Sequence, residues 1–133
     1  MEDMVTMSFD NDRNRVRIQK STLEALGNPR HILMLYNKNE RKFILKPITI
    51  DEARQRGISL WNIMDIPDEV YVNGRHYEYQ NKNIMPWIRT FTDWKPFAQY
   101  RVKGTVRDGI ALMNLDDYDI IVGGSPLRVV NNV

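Results

Sequence analysis

Residues 15–27 have the sequence RVRIQKSTLEALG, in which the spacing of the apolar residues changes from every second position to every third. Val16 and Ile18 alternate with polar residues, which is the period of a strand that buries one face. Leu23 and Leu26 lie three residues apart, as they would on one face of a helix. The stretch therefore predicts a strand that passes directly into a short helix.

The predicted helix has a recognisable start and end. Ser21 and Glu24 have the spacing of a capping box, in which the serine hydroxyl accepts from a backbone amide and the glutamate reaches back. Gly27-Asn28-Pro29 follows, and it ends a helix because glycine adopts left-handed dihedral angles and the proline ring cannot continue the helix. We expect a short helix that begins at Ser21.

Strand patterns flank this stretch on both sides. Large apolar residues alternate with hydroxyl residues over residues 5–9, and residues 10–14 have the composition of a turn. An apolar run at residues 32–36 and an alternating segment at residues 42–46 are separated by polar residues and predict a hairpin. Pro47 closes this module.

A second short helix marks a predicted domain boundary. Thr49 and Glu52 repeat the capping-box spacing, and residues 51–57 end in glycine, so we expect a helical linker there. This divides the chain into a first module at residues 1–50 and a second domain at residues 58–133. The predicted fold class is mainly β with short helices (α+β).

The second half is rich in aromatic residues and turn signals. Asn73-Gly74 and Asp108-Gly109 are dipeptides that favour tight hairpin turns, so we expect a hairpin at each. The predicted strands are residues 70–72, 76–79, 100–106, 110–115 and 119–122.

The composition indicates a globular chain whose surface carries both positive and negative charges. Of its 133 residues, 42% are hydrophobic, and the net charge of +2 indicates no class of partner by itself. The absence of cysteine excludes disulfides and thiolate zinc sites. No apolar run approaches the roughly 20 residues that a bilayer span requires, and the first residues are acidic where a secretory signal would be basic. We expect a cytoplasmic protein.

Positive charge is concentrated in the first module. Residues 1–50 hold nine basic and six acidic residues, a net charge of +3, whereas residues 51–133 have a net charge of −1. Arg13, Arg15 and Arg17 lie two residues apart, so on a strand their side chains would leave the same face and could follow a phosphate backbone. The alternative is a solvated edge strand that uses charge to prevent aggregation.

The run from Arg15 to Gly27, followed by residues 32–36 and 42–47, resembles the AbrB and SpoVT swapped-hairpin family. That resemblance implies two chains that interleave their hairpins into one β-barrel, so that the fold exists as a homodimer. It also implies that basic residues on one face contact DNA. Members of the family include transition-state regulators and antitoxins that repress their own operons.

The resemblance implies specific DNA contacts in this chain. Arg15, Arg17 and Lys20 match the family pattern, and Arg13 is an addition in the preceding turn. The chain departs from the pattern at Gln19, where the family has proline. Its short helix also lacks the arginines that many of these regulators carry.

Two further groups of residues are candidates for function. Trp87, Phe91 and Trp94 have the spacing of one helical face after Pro86, which predicts either a core stripe or a groove for a partner peptide or for stacked bases. Asp116, Asp117 and Asp119 could gather a divalent ion, although three aspartates with no other identifiable ligand more often form a helix start or a turn.

Catalytic motifs are absent from the sequence. His31 and His76 have no metal-ligand spacing, and no pattern joins a nucleophile to a base. We therefore predict a dimeric DNA-binding transcriptional regulator of AbrB-like type with no cofactor and no enzymatic activity. The alternative is an interaction, assembly or antitoxin-like protein in which DNA binding is weakened or lost. A carboxylate-based enzyme is the third and weakest interpretation.

Overall fold

The computed structural model describes residues 3–122 and 125–128, which form a mainly β structure with short helices. The strands are β1 (Asp3–Asp10), β2 (Arg15–Gln19), β3 (His31–Asn37), β4 (Lys42–Pro47), β5 (Ile63–Asp65), β6 (His76–Gln80), β7 (Gln99–Arg107), β8 (Ile110–Val122) and β9 (Ser125–Arg128). The helices are α1 (Lys20–Ala25), α2 (Ile50–Gln55), α3 (Asp68–Val72) and α4 (Ile84–Arg89), with a 3-10 turn at Leu60–Asn62. Among the described residues, no helix is both long enough and apolar enough to cross a membrane.

The hairpin predicted at residues 32–46 is confirmed, and so are the two strands predicted on either side of the turn at residues 10–14. β1 pairs with β2, β3 pairs with β4, and α1 connects the two hairpins. Gly27 adopts a φ of +87° just after α1, as expected of a helix-ending glycine. The Thr49 hydroxyl accepts from the Glu52 amide at 3.1 Å, which confirms the cap of α2.

The capping box at Ser21 is wrong. α1 begins at Lys20, and its N-cap residue Gln19 makes no side-chain capping bond. The Lys20 amide instead donates to the Arg75 carbonyl oxygen at 3.0 Å. Antiparallel pairing with the strand that follows Arg75 thus continues up to the first residue of the helix and satisfies one of the first four amides, which have no partner within the helix.

The hairpin predicted at Asn73-Gly74 is also wrong. Residues 68–72 form α3, and the Asn73 and Gly74 amides donate to the Glu69 and Val70 carbonyl oxygens at the end of that helix. Pro67, followed by two acidic residues, is a strong helix start, and it outweighs a three-residue strand pattern. The hairpin predicted at Asp108-Gly109 is confirmed, with φ of 53° and 76° at the two turn residues.

The sheet crosses the predicted domain boundary without a break. Its strand order is β5-β3-β4-β8-β7-β1-β2-β6, with β9 beside β8, and it curls into a nearly closed barrel. Hairpin β1–β2 lies between β7 and β6, and hairpin β3–β4 lies between β8 and β5. Two separate domains and an exchange of hairpins between chains are therefore not confirmed.

One core fills the interior of this sheet. Alternate residues of the strands point inward, and the three apolar residues of α4 that are fully buried join them: Ile84, Met85 and Ile88. The ring of Phe9 in β1 meets that of Phe43 in β4 edge-on, with 5.4 Å between ring centroids. A smaller cluster lies on the outer face, where Ala53 of α2 and Ile48 pack with Leu33 and Ile63.

Candidate nucleic-acid interface

The predicted DNA-contacting arginines lie on a two-stranded ribbon formed by β2 and β6. Val16 and Ile18 of β2 are buried in the core, so Arg15 and Arg17 point away from it. Arg17 lies directly opposite Glu78 of β6, and the same register sets Gln19 opposite His76. We call residues 10–20 together with residues 75–82 the β2–β6 ribbon.

The outward arginines form ion pairs within the ribbon. The Arg15 guanidinium donates through Nε to Asp10 Oδ2 and through Nη1 to Glu78 Oε2, each at 3.3 Å. Arg17 donates to Glu78 Oε1 through Nε at 3.1 Å and also through Nη2. Two carboxylates thus partly neutralise the two arginines and fix the direction of both guanidinium groups.

Glu78 is held in its ionised form by this arrangement. The hydrogen bond from Arg17 lowers the pKa of Glu78 below its ordinary value, and the charges of Arg15, Arg17 and His76 act in the same direction. Partial burial opposes the shift without reversing it. The carboxylate therefore remains a charged partner of both arginines over the whole neutral range.

Donors remain on both guanidinium groups. Each guanidinium carries five N–H groups, and the hydrogen bonds described above use two of them on Arg15 and two on Arg17. The side chains are 20% and 32% exposed, so the remaining donors have access to solvent. This geometry could present fixed N–H groups to an anion outside the sheet.

Further cations flank the ribbon at both ends. Arg13 is exposed in the turn before β2, and the exposed Lys82 follows β6 at the same end. At the opposite end, Lys20 is half-buried and its backbone is paired with that of the exposed Arg75. No local sequence signal joins Arg75 and Lys82 to this set, because only the pairing of β2 with β6 brings them near.

The ribbon as a whole keeps an excess of positive charge. It contains six basic residues (Arg13, Arg15, Arg17, Lys20, Arg75 and Lys82) and three acidic ones (Asp10, Asp12 and Glu78), a net charge of +3. The ion pairs therefore reduce the basic character of this surface but do not remove it.

The aromatic residues predicted as a partner site do not share one helical face. α4 contains Trp87 but ends at Arg89, so Phe91 and Trp94 lie beyond it, and the prediction of a single helix is wrong. The Thr90 hydroxyl bonds back to the Trp87 carbonyl oxygen at 2.6 Å, which helps to end the helix.

These aromatic side chains pack against one another and against the core. Trp94 is only 7% exposed and stacks on Tyr100 with ring centroids 4.5 Å apart. Phe91 stacks on Tyr36 at 3.7 Å, and Trp87 meets Phe91 edge-on at 5.3 Å. Trp94 is thus a core residue, whereas Trp87 and Phe91 are half-buried members of an aromatic cluster.

The candidate acidic and histidine residues are engaged with other charged groups. Asp116 accepts from Arg41 Nε at 3.0 Å, and Asp117 and Asp119 lie 3.9 Å and 3.8 Å from Lys103 Nζ. His31 lies beside Asp65, and His76 lies beside Glu78. Within the described residues, no group of three or more histidine, aspartate or glutamate side chains is arranged to hold a metal ion.

Comparisons with known proteins identify no relative of this chain. No family model, no curated protein and no solved structure matches it.

Proposed function

We propose that this chain is a non-catalytic DNA-binding protein, of the kind expected of AbrB-like transcriptional regulators, and that its β2–β6 ribbon contacts the phosphate backbone. The observation that supports this most directly is the ribbon's net charge of +3. Phosphate contacts by arginine and lysine supply most of the sequence-independent affinity of proteins for DNA.

The ion pairs of the ribbon also favour phosphate binding in one respect. Glu78 and Asp10 hold the guanidinium groups of Arg15 and Arg17 in fixed directions. Ordering a long side chain on binding costs about 0.5–1.5 kcal/mol, and part of that cost is already met in the free protein. The remaining N–H donors can then bind phosphate with less loss of side-chain entropy.

The proposed regulator acts as a dimer, as the resemblance implies. Both hairpins of the first half are already paired on each side by strands of their own chain. Such a dimer would therefore form by contact between surfaces and without exchange of hairpins. Two ribbons on one side of the dimer would double the number of phosphate contacts.

The salt dependence of DNA binding tests this proposal. We expect the full chain to bind a mixed-sequence duplex of about 20 base pairs at low salt, measured by fluorescence anisotropy over a salt series. Each lost phosphate contact reduces the slope of log K against log salt by about 0.9, so R15A/R17A should reduce it by about 2. The matched control is R54A/R56A, which removes two exposed arginines at the end of α2.

The two double variants separate specific contact from general charge. Both remove two positive charges, so an effect of overall charge alone would weaken DNA binding equally in the two. Equal losses, or no retention of the wild-type chain on DNA at low salt, would contradict the proposal.

The second candidate is an interaction or assembly protein with weakened DNA binding. The ion pairs themselves favour this candidate, because Glu78 and Asp10 partly neutralise Arg15 and Arg17 within the fold. In this case the ribbon is a solvated charged surface, and R15A/R17A leaves DNA retention unchanged.

A further inference from the structure

A row of four apolar residues and one threonine crosses five strands on the outer face of the barrel. The registers of the sheet set Met4 opposite Thr105, Thr105 opposite Leu112, Leu112 opposite Ile44, and Ile44 opposite Leu35. Residues directly opposite in a sheet point to the same side, so these side chains form one continuous line. We call these five residues the outer stripe.

The outer stripe points away from the core. On each strand it alternates with core residues, such as Val5 beside Met4, Phe43 beside Ile44, and Met113 beside Leu112. Met4 is 76% exposed and Leu35 37%, and the three residues between them are half-buried. Apolar side chains that remain accessible beside one another on a sheet face are a recognised feature of interaction sites.

The fold covers the neighbouring outer residues but not this row. Leu33, two residues before Leu35 on β3, is 3% exposed because Ala53 of α2 and Ile48 pack over it. The outer stripe continues that covered cluster onto the open part of the sheet.

Two lysines border the outer stripe on β4. Lys42 and Lys46 stand two residues to either side of Ile44, so their side chains leave the same face of the strand. Residues 42–46 and 110–114 contain no acidic residue. Standard strand dimensions place the two lysines roughly 13 Å apart along the strand. Lys103 on β7 also borders the row, but it lies 3.9 Å and 3.8 Å from two aspartates of β8. Ile44 thus lies between two positive charges.

We propose that the outer stripe docks a protein segment that presents aliphatic residues flanked by aspartate or glutamate. Aliphatic side chains would pack on Ile44 and Leu112, and the acidic residues would meet Lys42 and Lys46. This surface lies apart from the β2–β6 ribbon, so the inference does not depend on DNA binding.

Other occupants fit this surface less well. A second copy of the chain, docked face to face, would bring the same lysines, Lys42 and Lys46, against each other. Single-stranded nucleic acid is held by stacking on aromatic rings, and the outer stripe contains none. Its aliphatic residues would also gain nothing from a phosphate backbone.

Selection from a peptide library tests the inference. A displayed library of random 12-residue peptides is selected on the immobilised full chain, on I44S/L112S, and on the control L60S/V72S. Leu60 and Val72 are 68% and 71% exposed and lie outside the outer stripe. We expect acidic peptides with interspersed aliphatic residues to be enriched on the wild type and on the control, but not on I44S/L112S.

Binding of one enriched peptide, measured by anisotropy, gives the quantitative result. Its Kd should rise at least tenfold for I44S/L112S, and also for K42A/K46A, which changes only the charged border. Circular dichroism verifies that each variant is folded. K42A/K46A retains the aliphatic residues and so provides an independent check if I44S/L112S is destabilised.

Four results would overturn the inference. The first is an absence of peptides that distinguish the wild type from I44S/L112S, and the second is enrichment of peptides without acidic residues. The third is a dimer in light scattering that I44S/L112S converts to a monomer, which would assign the surface to a second copy. The fourth is binding to a DNA duplex that is lost in K42A/K46A and retained in I44S/L112S.

Discussion

Replacing Trp94 with alanine should destabilise both halves of the chain together. Trp94 belongs to the second half and is 7% exposed, and its ring lies 5.1 Å from that of Phe9 in β1 and 4.5 Å from that of Tyr100 in β7. Removing a buried aromatic side chain of this size costs about 3–5 kcal/mol in lost burial and residual cavity. Because one core contains residues of both halves, the cost falls on the whole sheet.

Two measurements follow the effect. Urea unfolding, monitored by circular dichroism, should remain a single transition with an unchanged slope and a lower midpoint. Hydrogen exchange, resolved by residue, should report the same loss of free energy for the most protected amides of β1 and β4 as for those of β7 and β8. Equal losses are expected only if the two halves unfold as one unit.

Phe97 provides the matched control for Trp94. It is an aromatic residue of the same segment, but it is 73% exposed, so F97A should change the free energy of unfolding by no more than about 0.5 kcal/mol. If W94A lowers protection in the second half while β1 to β4 keep the exchange free energies of the wild type, the halves are separate domains. The two halves would then not share one core.

The structure makes two further stability predictions. A Cβ at Gly104 would lie 2.4 Å from the Leu112 carbonyl oxygen and 2.8 Å from Met113 Cα. In urea unfolding, G104A should therefore lower the free energy of unfolding by about 1–3 kcal/mol or more, whereas the control T105A should lower it by about 1 kcal/mol or less. Equal effects of the two variants would mean that β7 and β8 do not approach each other as described. The pKa of Glu78 is lowered by Arg17, so its contribution to stability is present above the ordinary carboxyl value of 4.5 and is lost as the pH falls through the lower folded-state value. When the pH is lowered, E78Q should therefore lose less free energy of unfolding than the wild type and the control E40Q. The difference should be less than about 1 kcal/mol, because the ion pair is exposed.

Local patterns predicted most of the individual elements. Period-two alternation located β1, β2 and β4, and Asp108-Gly109 located the turn between β7 and β8. These signals succeed because each depends on a few adjacent residues. Asn73-Gly74 is the exception, since the same kind of dipeptide can end a helix as well as turn a hairpin, and the residues before it decide between the two.

Strand pairing between the halves could not be predicted in the same way. No local signal sets β2 beside β6, although Glu78 meets Arg15 and Arg17 across more than 60 residues of chain. For the same reason, the sequence indicated the arginines of the ribbon but neither their acidic partner nor the cations of the β6 side.

Pairing within one chain also changes what the resemblance can imply. The apolar faces of the strands in the first fifty residues must be buried. In the swapped-hairpin pattern, an identical chain buries them. Here β7 and β8 lie between hairpins β1–β2 and β3–β4, and β6 and β5 lie at their outer edges. The same core requirement is thus met by the second half of the chain. A chain whose own strands pair on both sides of each hairpin has no need to exchange hairpins, so any partner must be recognised on its outer surfaces. We propose the β2–β6 ribbon and the outer stripe as two such surfaces, and their different chemistries suit different ligands.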